Sequence, residues 1–252
     1  MGMVFDPKNP RAVEVARFLE ASGAPEKLSP EITLVIGGDG FMLRTVRERY
    51  RPDAVFLGIN CGRLGFLLND LPARLEELPD LILSDRLRIR TFPRIQMVAQ
   101  DAEGRSFEAR GLNDVYLQRA GGHGCHLKIW INGVVVVEHM VCDGLIFCTS
   151  LGSTAYSFSA GASPCHPSLD VLGVTPICPH APRLPPLYVP LASTVEAHVI
   201  NPELRPVTAV VDGYEYGTIT RVLIQDGQEP VRLAFFPGHH FTKTLVSKLL
   251  IT

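Results

Sequence analysis

Apolar residues along the first sixty positions follow two alternating rhythms. Met3 to Phe5 is a short apolar run, after which Asn9-Pro10 supplies a cap followed by proline at the first helical position, where its missing N–H is no loss. Ala12, Ala16 and Leu19, with Val15 and Phe18 beside them, form a stripe at helical spacing that stops near Gly23. Residues 32–36, ITLVI, are apolar without alternation, the mark of a strand buried on both faces. A turn of three glycines and one acid, Gly37-Gly38-Asp39-Gly40, comes next. Helical spacing then runs from Phe41 to about Arg49, and residues 54–59, AVFLGI, give a third strand. The order βαβαβ predicts an α/β domain built on a parallel sheet with right-handed crossovers.

After about residue 85 the rhythm changes. Segments 94–99, 107–117, 126–131, 134–137 and 145–149 are short and rich in Val, Ile, Leu, Tyr and Phe, with turn pairs such as Glu103-Gly104 between them. Asn132-Gly133, set between KIWI and VVVV, predicts a hairpin because both residues tolerate positive φ. Six prolines lie between Pro176 and Pro190, and since each lacks a ladder donor the stretch reads as an ordered loop and not a strand. Strands resume at about 194–200, 207–211, 218–224 and 231–236. This half is mainly β.

Composition narrows the function. The chain has 252 residues, 46% hydrophobic and 20% charged, enough to bury a large core, so a disordered or fibrous protein is excluded. Lys plus Arg (24) nearly balances Asp plus Glu (26), which leaves no broad basic field for a nucleic-acid backbone or an anionic membrane. The N-terminus lacks the basic start and apolar stretch of a signal peptide, and no later run approaches the roughly 18 apolar residues of a membrane span. A soluble, cytoplasmic protein is expected. Six scattered cysteines suit reduced thiols. His123, Cys125 and His126 have no second paired motif at zinc spacing and read as a loop.

The glycine turn joins a buried strand to a helix. Gly37, Gly38 and Gly40 let backbone amides approach phosphate oxygens, and the helix N-terminus favours an anion there. Asp39 repels phosphate and suits a general base, although the same sequence also fits an ordinary turn in which Asp39 caps the helix. Neither the GxxxxGK[ST] nor the GxGxxG phosphate loop is present.

Several further blocks occur in order: residues 58–67, GINCGRLGFL; 112–115, LNDV; 143–159, DGLIFCTSLGSTAYSFS; HPSLD at 166–170; and TPICPH at 175–180. Together with the GGDG turn they resemble the NAD kinase family over nearly the whole chain. The resemblance implies a two-domain fold: an α/β domain over residues 1–88 and a β-sandwich-like nucleotide-binding domain over 89–236, with the tail 237–252 packing back on the first. It also implies a site between the domains and divalent-metal-dependent transfer of a phosphoryl group, from ATP or another donor, to the 2′-hydroxyl of the adenosine ribose of NAD.

Carried over by position, Asp39 becomes the catalytic base, with Gly37, Gly38 and Gly40 at the phosphates. Asn113 and Asp114 bind NAD, the carboxylate accepting from ribose hydroxyls. Asp143 holds the nucleotide, and Thr154, Ala155, Tyr156, Ser157 and Ser159 line a ring with hydroxyls and an aromatic face. Read alone, Asn113-Asp114 is a turn, Asp143-Gly144 a hairpin tip, and 153–159 a capped helix start. Arg44 and Arg63 are candidates for placing charge at the phosphates. No protein metal ligand is expected, because Mg²⁺ or another divalent ion keeps its waters and travels with ATP. Homodimers or homotetramers follow from the resemblance. Phe41, Cys142, Ser150-Leu151 and Tyr214 differ from the residues usual in the family. A catalytically silent NAD or NADP sensor and a lipid kinase carrying the same GGDG turn are the alternatives.

Overall fold

The computed structural model describes residues 2–249, and the chain divides into two compact units. One runs through Phe92 and resumes at Pro230; the other is Pro93–Glu229.

The first unit contains β1 (Met3–Phe5), α1 (Pro10–Ser22), β2 (Ile32–Gly37), α2 (Asp39–Arg49), β3 (Val55–Asn60), the two-residue β4 (Asn69–Asp70), α3 (Leu78–Ile82), β5 (Arg88–Phe92), β18 (Val231–Phe235) and α5 (Phe241–Leu249). The expected cap is present. The Asn9 side chain accepts from the Arg11 and Ala12 amides at 3.0 and 3.3 Å, and Gly23 closes α1 at φ +64°. Ala12, Val15, Ala16 and Leu19 are fully buried with Leu34, Ile36, Val55 and Leu57, so the helical stripe finds the parallel strands. Strands β1, β2 and β3 pair in parallel, as the βαβαβ rhythm predicts.

Residues 231–236, which the linear pattern assigns to the β half, instead complete this sheet. Strand β18 lies parallel to β3 and antiparallel to β5. Asn69 fixes the join from a buried position: its Nδ2 donates to Gly58 O at 2.9 Å and Ala234 O at 3.0 Å, and its Oδ1 accepts from the Phe236 amide at 2.7 Å.

The second unit consists of β6 (Ile95–Gln100), β7 (Ser106–Gly111), β8 (Asp114–Arg119), β9 (Cys125–Ile131), β10 (Val134–Cys142), β11 (Gly144–Thr149), α4 (Tyr156–Ser159), β12 (Val171–Ile177), β13 (Leu187–Pro190), β14 (Val195–Val199), β15 (Val207–Val211), β16 (Tyr214–Ile219) and β17 (Arg221–Asp226). They make two six-stranded sheets, ordered β10-β9-β14-β17-β6-β7 and β13-β12-β11-β8-β15-β16. One core takes side chains from both. Met97, Leu127, Ile129, Ala197 and Val222 come from the first sheet, and Val115, Leu117, Phe147, Val174 and Ala209 from the second. Alternation in β6, β9 and β14 matches a half-buried sheet, while β11 is buried throughout.

Several expectations need correction here. The predicted segment 107–117 is two strands, because the backbone turns at Leu112-Asn113, and 218–224 spans the end of β16 and the start of β17. Cys125 and His126 are not loop but the start of β9, with Cys125 buried in the core. The proline stretch contains strand at both ends. Pro190 sits in β13, an edge strand, and Pro176 lies in β12 beyond the last residue paired with β13, so neither removes a donor from a doubly paired position. The Asn132-Gly133 hairpin forms as expected, at φ +50° and +77°, joining β9 to β10.

Candidate functional site

In the first unit, Gly38 is the N-cap of α2 and makes no side-chain cap bond, so Asp39 begins the helix without capping it. Its carboxylate crosses to a distant loop. Oδ2 accepts from the Phe66 amide at 3.0 Å and Oδ1 from the Leu67 amide at 2.8 Å. That loop is shaped by Asn60, whose Oδ1 accepts from the Gly62 amide at 2.9 Å and whose Nδ2 donates to Asp70 at 3.0 Å. A side chain on Gly65, at φ +67°, would meet Asn60 Nδ2 at 2.2 Å. The GGDG turn and the GINCGRLGFL segment therefore form one local structure: Gly38 packs on the Gly62 backbone, and the Cys61 amide donates to Gly37 O at 2.7 Å.

Arg63 is exposed on this loop. Arg44 lies 4.9 Å over the Phe41 ring, beside a cleft of about 390 Å³ that Met3, Phe5 and Pro7 also line.

In the second unit the LNDV turn and the 149–156 segment meet. Thr149 donates from its amide to Asn113 O at 3.0 Å and from its hydroxyl to Leu112 O at 2.7 Å, and that hydroxyl accepts from the Gly152 amide at 3.1 Å. Gly152 sits so close to Asn113 that a Cβ would fall 1.9 Å from Asn113 O. Asn113 is buried, and its Oδ1 is fully enclosed without a hydrogen-bond partner, an uncommon state for a buried acceptor.

Asp114 is 6% exposed, and burial, reinforced by the neighbouring Asp212 carboxylate, pushes its pKa up to about 7. The folded chain thus keeps a proton that the unfolded chain loses near pH 4. This contribution to stability is fully present at low pH and declines as pH rises from about 4 to about 7. Asp114→Asn is accordingly expected to raise the melting temperature at pH 8 by on the order of 5 °C, with little gain at pH 4. Thermal unfolding at both pH values checks this, and an equal loss at both would contradict it.

Asp143 is not a hairpin tip, because β10 and β11 belong to different sheets and the chain crosses between them there. Its carboxylate pairs with Arg119 Nε at 2.8 Å, and the Arg119 amide donates to Asp143 O at 3.0 Å. Asp143, Arg119, Gln118 and Tyr156 line a cleft of about 380 Å³. The Tyr116 ring meets Tyr156 edge-on at 5.0 Å.

The hydroxyls of the 153–159 segment are largely engaged by the chain itself. Ser157, expected to line the ring, is fully buried with its Oγ 2.8 Å from Thr175 Oγ1, so it anchors α4 to β12. Thr154 donates to Leu151 O at 3.3 Å and Ser159 to Ala155 O at 3.5 Å. Tyr156 remains as the aromatic face. Arg119, Thr149 and Asp212 were not singled out from the sequence as site residues. Asp212-Gly213 carries the one local signal, a turn pair between two strands.

A family model, the ATP-NAD kinase C-terminal domain, matches residues 112–233. The solved structure of yeast NADH kinase complexed with NADH superposes with a TM-score of 0.81 at 21% identity, covering 98% of this chain and 86% of that one. An NAD kinase from Archaeoglobus fulgidus in complex with ATP gives 0.76 at 24% identity, over 98% and 96%. The fold is the one these two enzymes carry. An NAD kinase of Cereibacter sphaeroides is 35% identical across 100% of this chain and 98% of its own length. The chain belongs to the NAD kinase family.

Proposed function

We propose that this chain transfers the terminal phosphoryl group of ATP to the 2′-hydroxyl of the adenosine ribose of NAD, giving NADP and ADP. Asp39 takes the proton of the attacking hydroxyl, so that the oxygen–phosphorus bond forms as the bond to the ADP oxygen breaks. Gly37, Gly38 and Gly40 offer backbone close to the phosphates. Asn113 and Asp114 hold the dinucleotide, with Tyr156 and the Asp143–Arg119 pair beside a ring.

The observation that carries this reading is the junction in the second unit, where Gly152 abuts Asn113 and the enclosed Asn113 Oδ1 lacks a donor. An N–H or hydroxyl of the dinucleotide suits that acceptor. An ionised Asp114 serves ribose hydroxyls in the same way.

A divalent ion, Mg²⁺ for example, supplies charge neutralisation when bound with ATP. Among the described residues there is no group of three or more His, Cys, Asp or Glu placed to hold a metal. The described residues contain no helix long and apolar enough to cross a membrane. A cytoplasmic homodimer or homotetramer is the expected setting.

The test is an NADP-formation assay with purified protein, NAD, ATP and Mg²⁺. Steady NADP production is expected. Calorimetric binding of NAD with no NADP under any donor or metal would replace this reading with a silent dinucleotide binder.

A further inference from the structure

Asp212 stands at the tip of the hairpin between β15 and β16, at φ +46°, followed by Gly213 at φ +77°. Aspartate tolerates this left-handed conformation better than most side chains, and an Asp-Gly pair matches the twist of such a hairpin. The turn alone accounts for the residue type. It does not account for where the carboxylate goes.

Asp212 Oδ2 accepts from the Leu112 amide at 2.7 Å, and Oδ1 accepts from the Asn113 and Asp114 amides at 2.9 and 3.1 Å. In return the Asp212 amide donates to Asp114 O at 3.0 Å. Three consecutive amides of a non-helical turn converge on one carboxylate. Charge-assisted bonds of this kind are shorter and stronger than neutral ones. The arrangement also sets one carboxylate near another in a buried setting, which disfavours the ionised form of Asp114. A fold optimised for stability alone gains nothing from that proximity. A site that must hold the Asn113 and Asp114 side chains in one fixed orientation does gain.

We propose that Asp212 is a positioning residue for dinucleotide binding: it clamps the backbone of the Leu112–Asp114 turn so that the Asn113 and Asp114 side chains are presented to NAD. This rests on the reading above that Asn113 and Asp114 bind the dinucleotide. Asp212 itself need not touch substrate. Thr149 holds the carbonyl side of the same turn while Asp212 holds its amide side, so both edges of the peptide backbone are fixed. In Asp212→Asn one acceptor oxygen becomes a donor facing backbone N–H groups, and the turn loses its anion.

The experiment compares Asp212→Asn, Asp212→Ser and Asp114→Asn in steady-state NADP formation. Hydrogen exchange at the 112–114 amides is followed in each variant. For both Asp212 variants the KM for NAD is expected to rise about tenfold, while the KM for ATP and kcat stay within about threefold, and the 112–114 amides exchange faster. Asp114→Asn is expected to raise the KM for NAD as well. If Asp114→Asn raises that KM and the Asp212 variants do not, the positioning role is overturned while the binding site stands. If Asp114→Asn leaves it unchanged, the binding-site reading fails, and the proposal with it. Failure of both Asp212 variants to fold would also overturn the proposal, because Asp212 would then be a stability determinant.

Discussion

Replacing Asp39 with asparagine is expected to lower kcat for NADP formation by about three orders of magnitude, with the KM for NAD changed by less than about threefold. The structure makes this a demanding substitution, because both carboxylate oxygens already accept backbone amides, from Phe66 and Leu67. An ionised carboxylate has about four lone-pair sites, so two remain for a substrate hydroxyl proton after the loop is satisfied. Asparagine keeps one acceptor for the loop and turns an N–H toward the other amide. Two losses therefore coincide: the proton acceptor disappears, and the 66–67 loop loses one of its two anchors. A thermal melt separates them. The anchor alone is a local bond whose loss costs about 1 kcal/mol, or a few degrees in a protein of this size, and leaves chemistry nearly intact. The missing base acts on kcat and not on melting. A variant turning over within tenfold of the parent would remove Asp39 from proton transfer and leave it a purely structural tether of the phosphate turn.

The features legible in the sequence were those with local causes. The Asn9-Pro10 cap, the α1 stripe, the unbroken apolar runs of β2 and β3 and the Asn132-Gly133 hairpin each depend on residues a few positions apart, and each forms as read. The errors share a different cause. Strand β18 is an apolar run like any other, and nothing in its own residues says that its partners are β3 and β5, far back in the chain, and not the strands just before it. Prolines in the 176–190 stretch argue against strand only where a donor would go unmet, and an edge position has none to meet. The same contrast holds at the candidate site. Asp39, Asn113 and Asp114 stand out as candidates because they sit in short distinctive blocks. Asp212 does not, since its meaning lies in three amides about a hundred residues away and its own neighbourhood spells only a turn. Ser157 contrasts the other way: in the sequence its hydroxyl suggests a ligand contact, while in the structure it is buried against Thr175.

Gly152→Ala is expected to be the most destabilising single-methyl change in the second unit. The added Cβ would lie 1.9 Å from Asn113 O, 2.4 Å from its carbonyl carbon and 2.7 Å from its Cα, and all three are backbone atoms that no rotamer change can move aside. One of two backbones has to shift. The Asn113 carbonyl accepts from the Thr149 amide, and the Gly152 amide donates to the Thr149 hydroxyl, so any shift breaks bonds on both sides of the clash. Overpacking of this kind costs about 1–3 kcal/mol, and two strained buried hydrogen bonds add about 1 kcal/mol each. The sum, roughly 3–5 kcal/mol, predicts a melting temperature lower by about 10 °C. The displaced segment is the one that carries Asn113 and Asp114, so the KM for NAD should rise in protein that remains folded at the assay temperature. Gly121→Ala is the control: it also lies in the second unit, its Cβ would meet nothing within 4 Å and its backbone is not left-handed. That variant should stay within about 0.5 kcal/mol of the parent. Equal melting temperatures for the two variants would mean that the 149–152 segment and the Asn113 turn do not share the close backbone contact on which the junction depends.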